Sequence, residues 1–256
     1  MDALESDEAP GWRRKVGGRI GGMGSEFRGF GPDALGFLVE LGFNNDRSWF
    51  QPRKARYEAL LKEPLEALCT ALDAELRARG VPLTADAARS PFRIYRDVRF
   101  SKDKSPYKTN LGASFPWSGE GGGVGGYFHL APGEGFTGGG MYHPTTSRLA
   151  AWRSAVVNDR EGVHVAIEDP AFVAVFGTVN AESSLKRAPS GFDPADPDIE
   201  LLKLKDVIFG RPLSDAEVGS PDLPSRLADS LAASMPVMRY LAALPGLDEA
   251  PPWLRA

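Results

Sequence analysis

Six cations crowd the stretch from Arg93 to Lys108, namely Arg93, Arg96, Arg99, Lys102, Lys104 and Lys108, with only Asp97 and Asp103 as acids between them. The stretch carries a balance of +4 in a chain of 256 residues whose net charge is -4. A patch opposite in sign to the rest of its protein attracts an anionic partner or builds a dense internal ion-pair network. Guanidinium groups suit phosphate and carboxylate because their planar fork gives two parallel hydrogen bonds. Asp97 has two open roles: it pairs with neighbouring cations, or it turns Arg96 or Arg99 toward an anion and serves as a proton-transfer group.

His129 suits proton transfer by residue type, because imidazole ionises near neutral pH; its alternative is that of a hydrogen-bonded structural histidine. Asn44, Asn45 and Arg47 are candidate lining residues from the preceding helical region. Gly138, Gly139 and Gly140 fall within a strand-like run, where glycine permits close approach of a backbone or a ligand and could floor a pocket. Gly121, Gly123 and Gly126 satisfy G-x-G-x-x-G, but no buried strand precedes them and Tyr127 opens a strand instead of a helix, so the dinucleotide reading fails its context. His129, His143 and His164 lie in no zinc-ligand spacing, so no metal site is expected, and no pattern assigns a cofactor.

Elements that would position these groups follow from hydrophobic period. Pro32 to about Gly42 has helical spacing, Asn45 is placed to cap a short turn, and helices are expected from Arg53 to Lys62 and from Pro64 to Arg79, closed by Gly80. Cys69 lies on the apolar side of the second of these, with Leu65, Leu68, Leu72 and Leu76, as a core residue and not a nucleophile. Phe92, Ile94, Val98 and Phe100 alternate with polar residues as in a strand. Arg96 breaks the alternation on the apolar side, so its guanidinium is expected to point inward, held by a carboxylate such as Asp97 or by a bound anion.

Further strands are expected at Leu111 to Phe115, Tyr127 to Leu130, Phe136 to Tyr142 and Leu201 to Phe209, the middle two joined by a Pro132-Gly133 hairpin. In the last, Lys203 and Lys205 would share a face. Thr145 or Thr146, Asp169-Pro170, and the Ser214/Glu217 capping box mark helix starts, and Leu223, Leu227 and Leu231 mark a terminal helix. Helices followed by a strand cluster and mixed elements give an α+β fold, a helical N-terminal third and then a mainly antiparallel sheet with helices packed on it.

Residues 1 to 22 show no periodicity and are expected to be a disordered extension, with Met23 an alternative start; 23 to 245 form one domain and 246 to 256 a tail. No apolar run approaches the roughly 20 residues that cross a bilayer. A lone cysteine and the lack of an apolar stretch after Arg13-Arg14-Lys15 point to the cytoplasm, with no membrane partner.

The segments FLVELGFNNDRSWF (Phe37 to Phe50), RIYRDVRFSKDKSPYKTN (Arg93 to Asn110), the YFH and GGGMY strands and LLKLK (Leu201 to Lys205) resemble a bacterial and fungal family catalogued as domain of unknown function 2461. The resemblance spans about Phe27 to Leu244 and implies one domain; it leaves His143 outside the pattern and brings no substrate or cofactor with it. Three functions compete. The first is binding of a phosphate- or carboxylate-bearing small molecule by the basic segment, with an enzymatic extension through His129 or Asp97. The second is a single-stranded nucleic-acid module stacking bases on Tyr95, Phe100 and Tyr107, which the acidic remainder disfavours. The third is an internal ion-pair network in a structural protein. Oligomeric state is left open.

Overall fold

The computed structural model describes residues 26–99 and 101–246. The expectations for residues 1 to 22, for Met23, for Phe100 and for nearly all of the 246–256 tail lie outside them. Pro32 sits in the first turn of α1 (Pro32–Phe43), where a missing N–H leaves no bond unmade, and Asn44 ends the helix. Asp46, not Asn45, caps α2 (Arg47–Phe50) by accepting from the Trp49 N–H at 2.9 Å. Helical turns of changing pitch then run on to Ala78: a 3-10 turn Gln51–Arg53, α3 (Lys54–Tyr57), a π turn Glu58–Lys62 and α4 (Glu63–Ala78). The expected break at Pro64 is absent, because Pro64 falls in the first turn of α4, directly behind the wider π turn that makes room for its ring. Cys69 is buried on the inner face of α4, as its neighbours required.

Four strands, β1 (Leu111–Pro116), β2 (Gly125–Ala131), β3 (Glu134–Met141) and β4 (Val207–Pro212), pair antiparallel in the order β1-β2-β3-β4. Pro132 and Gly133 form the β2–β3 hairpin, with Gly133 at a φ of 75° that only glycine adopts readily. Side chains alternate across this sheet. Ala113, Phe115, Phe128, Leu130, Met141 and Phe209 are buried on one face. Ser114, Tyr127, His129 and Phe136, related by the strand register, share the other and are only partly covered.

The long β3–β4 connection carries α5 (Thr146–Asn158), α6 (Arg160–Ile167), α7 (Pro170–Phe176) and α8 (Ile199–Lys203). After β4 come α9 (Asp215–Val218), α10 (Leu223–Ala233) and α11 (Met235–Ala243). Thr145, Asp169 and the Ser214/Glu217 box cap α5, α7 and α9 as expected. Leu231 of α10 lies against Gly126, which places α10 on the buried face of the sheet. The fold is α+β.

Two expected strands need correction. Leu201 to Lys203 closes helix α8, and β4 begins only at Val207. The carbonyls freed at the end of α8 are taken by α5, since Trp152 Nε1 donates to Leu201 O at 3.0 Å and Arg153 Nε to Leu202 O at 2.9 Å. Lys203 pairs with Glu200 at 2.6 Å and shares no strand face with Lys205. Over its described residues, 92–99, the expected 92–100 run is also no regular strand: residues 90–92 bond to β1, residues 94–96 bond to 106–108, and only isolated bridges result. Pro91 and Pro106 each lack the N–H that a continuous ladder would use. On the opposite side of the sheet, Asn180 exchanges both backbone hydrogen bonds with Ile208 of β4.

Arg148, buried at the start of α5, sends Nη2 to Leu241 O at 2.6 Å and Gly122 O at 2.8 Å, and Nη1 to Leu244 O and Pro245 O. Its charge meets the carbonyl end of α11 instead of a carboxylate, a placement the helix dipole favours. The glycine run before β2 is part of this joint: a Cβ on Gly121 would lie 2.0 Å from Ala242 O, so only glycine lets the loop touch α11. At a second junction, His164 of α6 bonds Glu168 at 2.7 Å and Asp198 at 2.9 Å, while Arg160 holds Asp198 and Asp196. Bonds to Glu168 and then Asp198 raise the His164 pKa. On Asp198 burial acts upward, but His164 and Arg160 outweigh it and hold the carboxyl low.

Replacing Arg148 by Met leaves several carbonyls unpaired and should destabilise the protein by roughly 3 kcal/mol or more, read as a lower urea midpoint. Equal midpoints would remove Arg148 from its structural role. For His164, a folded-state pKa raised above the unfolded value of about 6.5 means stabilisation that is complete below that pH and lost as pH rises through the folded pKa. The wild-type melting temperature should therefore fall across this window more steeply than that of His164→Gln, and parallel profiles would contradict it.

Candidate functional site

Asn45 organises the basic segment. Its amide donates to Tyr107 O at 3.0 Å and accepts from Tyr107 N–H at 3.0 Å, pairing side chain to backbone as a neighbouring strand would. Tyr107 is thereby fixed with its ring stacked on Phe50 at 4.1 Å between centroids, only 1% exposed. A ring so placed stacks on no nucleic-acid base. Asn44 donates to Glu40 O at the end of α1, and Arg47 is exposed at the start of α2.

Three of the six cations have internal partners. Arg96 reaches Asp103, seven residues on, and its side chain is 31% exposed; the expected inward arginine held by Asp97 is instead a half-covered arginine held across the 97–105 turn. Asp103 also accepts from Ser105 N–H and Oγ, and the bond from Arg96, with these, holds its carboxyl far below the usual range. Asp97 grips Arg99 through Nε and Nη2, both side chains exposed, and that bond holds the Asp97 pKa at about 2. Lys104 Nζ donates to Val98 O at 2.8 Å, and Lys102 is exposed on the same turn.

Arg93 and Lys108 differ from these. Lys108 is half-buried, its Nζ 5.1 Å from the centre of the Phe92 ring, and neither it nor Arg93 has a carboxylate within 4 Å among the described residues. Partial burial, then the nearby charge of Arg93, lower the Lys108 pKa. Lys108 also lines an open cleft of about 390 Å³ with Asn45, Arg96, Asp103, Ser105 and Asn110. A larger hollow of about 510 Å³ between α5 and α11 is lined by Ala150, Ala151, Ala155 and Leu244 with no lysine or arginine among its described lining residues, and its Tyr240 hydroxyl donates to Asp159.

From Lys108 a row of rings leads across the open sheet face. Phe92 lies 6.0 Å from Tyr127, Tyr127 5.5 Å from Phe136, and Phe136 stacks on His129 at 4.8 Å. Tyr127 Oη and His129 Nδ1 are 3.1 Å apart, the donor being set by the imidazole tautomer. Burial lowers the His129 pKa, so the ring is neutral at pH 7, while burial pushes Tyr127 up to about 12 and keeps its proton in place. Sequence reasoning overlooked Tyr127, although it stands two residues before His129 in a strand and so on the same face.

The glycine triplet serves the sheet. A Cβ at Gly138 would lie 2.0 Å from Phe209 O, at Gly139 2.6 Å from Gly125 O and at Gly140 2.2 Å from Val207 O. Neighbouring strands, not a pocket, thus occupy the space that these glycines leave. Beyond β3, His143 adopts a φ of 45°, with its N–H donating to buried Asp206 at 2.7 Å and its ring beside Tyr142 and Glu182. No trio of histidine, cysteine or acidic side chains among the described residues is arranged to hold a metal ion, and none of their helices is long and apolar enough to cross a membrane.

Substituting Asn45 by Ala leaves both Tyr107 backbone groups without a partner and should cost about 1–3 kcal/mol by chemical denaturation. An unchanged midpoint would show that the amide clamp contributes nothing.

Among curated proteins and solved structures, none matches the chain. A family described as a conserved hypothetical protein matches residues 33–240, close to the span expected from the resemblance. The match includes the basic segment, the Asn45 clamp, the four strands and the ring row, and the chain belongs to that family, DUF2461.

Proposed function

We propose that the protein binds a small phosphate- or carboxylate-bearing ligand at Arg93 and Lys108. One observation carries the reading: half-buried Lys108 feels the like charge of exposed Arg93, and neither has a carboxylate within 4 Å among the described residues. Such a pair is unfavourable until an anion joins it. Arg96, Arg99 and Lys104 fit the competing internal network, because each already has a protein acceptor. They shape the turn, and Lys102 adds long-range attraction. Nucleic acid is the weaker alternative, since Tyr107 is unavailable for stacking.

In an enzymatic extension, neutral His129 accepts a proton and the cations offset developing negative charge. Asp97, committed to Arg99 at the surface, supports no such role. The reading takes residues 23 to 245 as one functional domain and a cytoplasmic setting, in line with the lone buried thiol.

Titration calorimetry with inorganic phosphate tests the site. Lys108→Ala and Arg93→Ala should each weaken binding about tenfold, as expected for loss of a charge-assisted bond, whereas Arg99→Ala and Lys62→Ala should change it less than about twofold. Added salt should weaken it further. Equal losses at all four positions, or no binding to the wild type at millimolar phosphate, would overturn the proposal.

A further inference from the structure

We infer that the anion held by Arg93 and Lys108 is carried on a planar heteroaromatic ring, as in a nucleoside monophosphate, and that Phe92 with the Tyr127–His129 pair receives that ring. The inference rests on the anion site just proposed and names its ligand class. Phe92 is 37% exposed, a large apolar side chain left open beside a half-buried ammonium. It is no isolated surface residue: the ring row continues through Tyr127 and Phe136 to His129. This face of the sheet is the one opposite the buried Phe128 and Leu130, so α10 does not cover it.

Gly112 of β1 is what allows the arrangement. A Cβ there would lie 2.9 Å from Tyr127 Oη and 3.1 Å from Phe92, so the absent side chain lets both rings settle on the strand. The face thus presents three functions within one ligand's reach of each other. Lys108 and Arg93 supply positive charge, Phe92 supplies a π surface, and Tyr127 Oη with neutral His129 supplies hydrogen-bonding groups for a ring edge. Bare phosphate would use the first alone and leave the exposed ring in water. A nucleotide uses all three, since any base offers a flat face to an aromatic side chain and polar atoms at its rim. The run of partnered acids and cations in the 97–105 turn offers no continuing track for a polymer backbone, which favours a mononucleotide over a strand.

Calorimetry on the full chain with inorganic phosphate, ribose 5-phosphate, AMP and an eight-nucleotide oligothymidylate separates the readings. AMP should bind about tenfold or more tightly than ribose 5-phosphate, the scale of one stacked base. Phe92→Ala should remove that difference while leaving ribose 5-phosphate affinity within about twofold, since Phe92 supplies no charge, and Lys108→Ala should weaken both ligands. Phe92→Leu, which keeps apolar bulk on a folded protein, should lose the same advantage. AMP and ribose 5-phosphate binding equally, or Phe92→Leu retaining full AMP affinity, would overturn the ring assignment and leave the anion site standing. Tighter binding of the oligothymidylate per site than of AMP would overturn it in favour of a strand. Failure of all four compounds to bind would remove the anion site and this inference together.

Discussion

A guanidinium with no carboxylate within 4 Å among the described residues holds three parts of this fold in register. Arg148 projects from the first turn of α5 into the carbonyl end of α11 and the glycine loop ahead of β2. An unpaired charge in a protein interior is costly, and here converging carbonyl dipoles take the place of a counter-ion. The arrangement demands that α11 end where it does and that the loop come close, which Gly121 alone permits. The β2 strand that follows then carries Tyr127 and His129 at a fixed height on the sheet. Position at the open face therefore depends on a contact made on the far side of the loop.

The basic segment shows how a single charge count resolves into unlike parts. Three of its six cations, Arg96, Arg99 and Lys104, are held locally, through contacts spanning two to seven residues that need little from the rest of the fold. Of the remaining three, Lys102 is exposed on the turn, while Arg93 and Lys108 are brought together by tertiary contacts: Asn45 fixes Tyr107, and Lys108 N–H bonds Ile94 O at 2.7 Å. Two residues fifteen positions apart are thus brought near each other with the help of an amide from the connection between α1 and α2.

Much of this was legible in the chain. Local chemistry announced itself where one residue decides an element: Pro32, Thr145, Asp169-Pro170, Ser214 with Glu217, and Pro132-Gly133. Legibility failed where partners lie far away. LLKLK reads as a strand by composition, yet α5 supplies donors for a helix end there. Arg96 broke an alternation correctly noticed, but the acid that answers it is set by a turn and not by strand neighbours. α6 and α11 went unseen because a single residue, Asp159 or Ser234, separates each from its predecessor, with no glycine or longer loop to mark a boundary. The cations and His129 were found by type, whereas the row of rings joining them appears only once β1, β2 and β3 are in register.

The two single bridges at the borders of the sheet have a consequence for assembly. An open four-stranded sheet offers an unpaired backbone row on each side, a template onto which other chains can polymerise. Ser90 to Phe92 occupies one row and Asn180 the other, and Pro91, Pro116 and Pro212 withhold donors at those borders. These brief attachments act as terminators: they are too short to propagate a ladder themselves, yet they fill the positions where one would start. Among the described residues, strand addition at either margin would first have to displace one of these attachments.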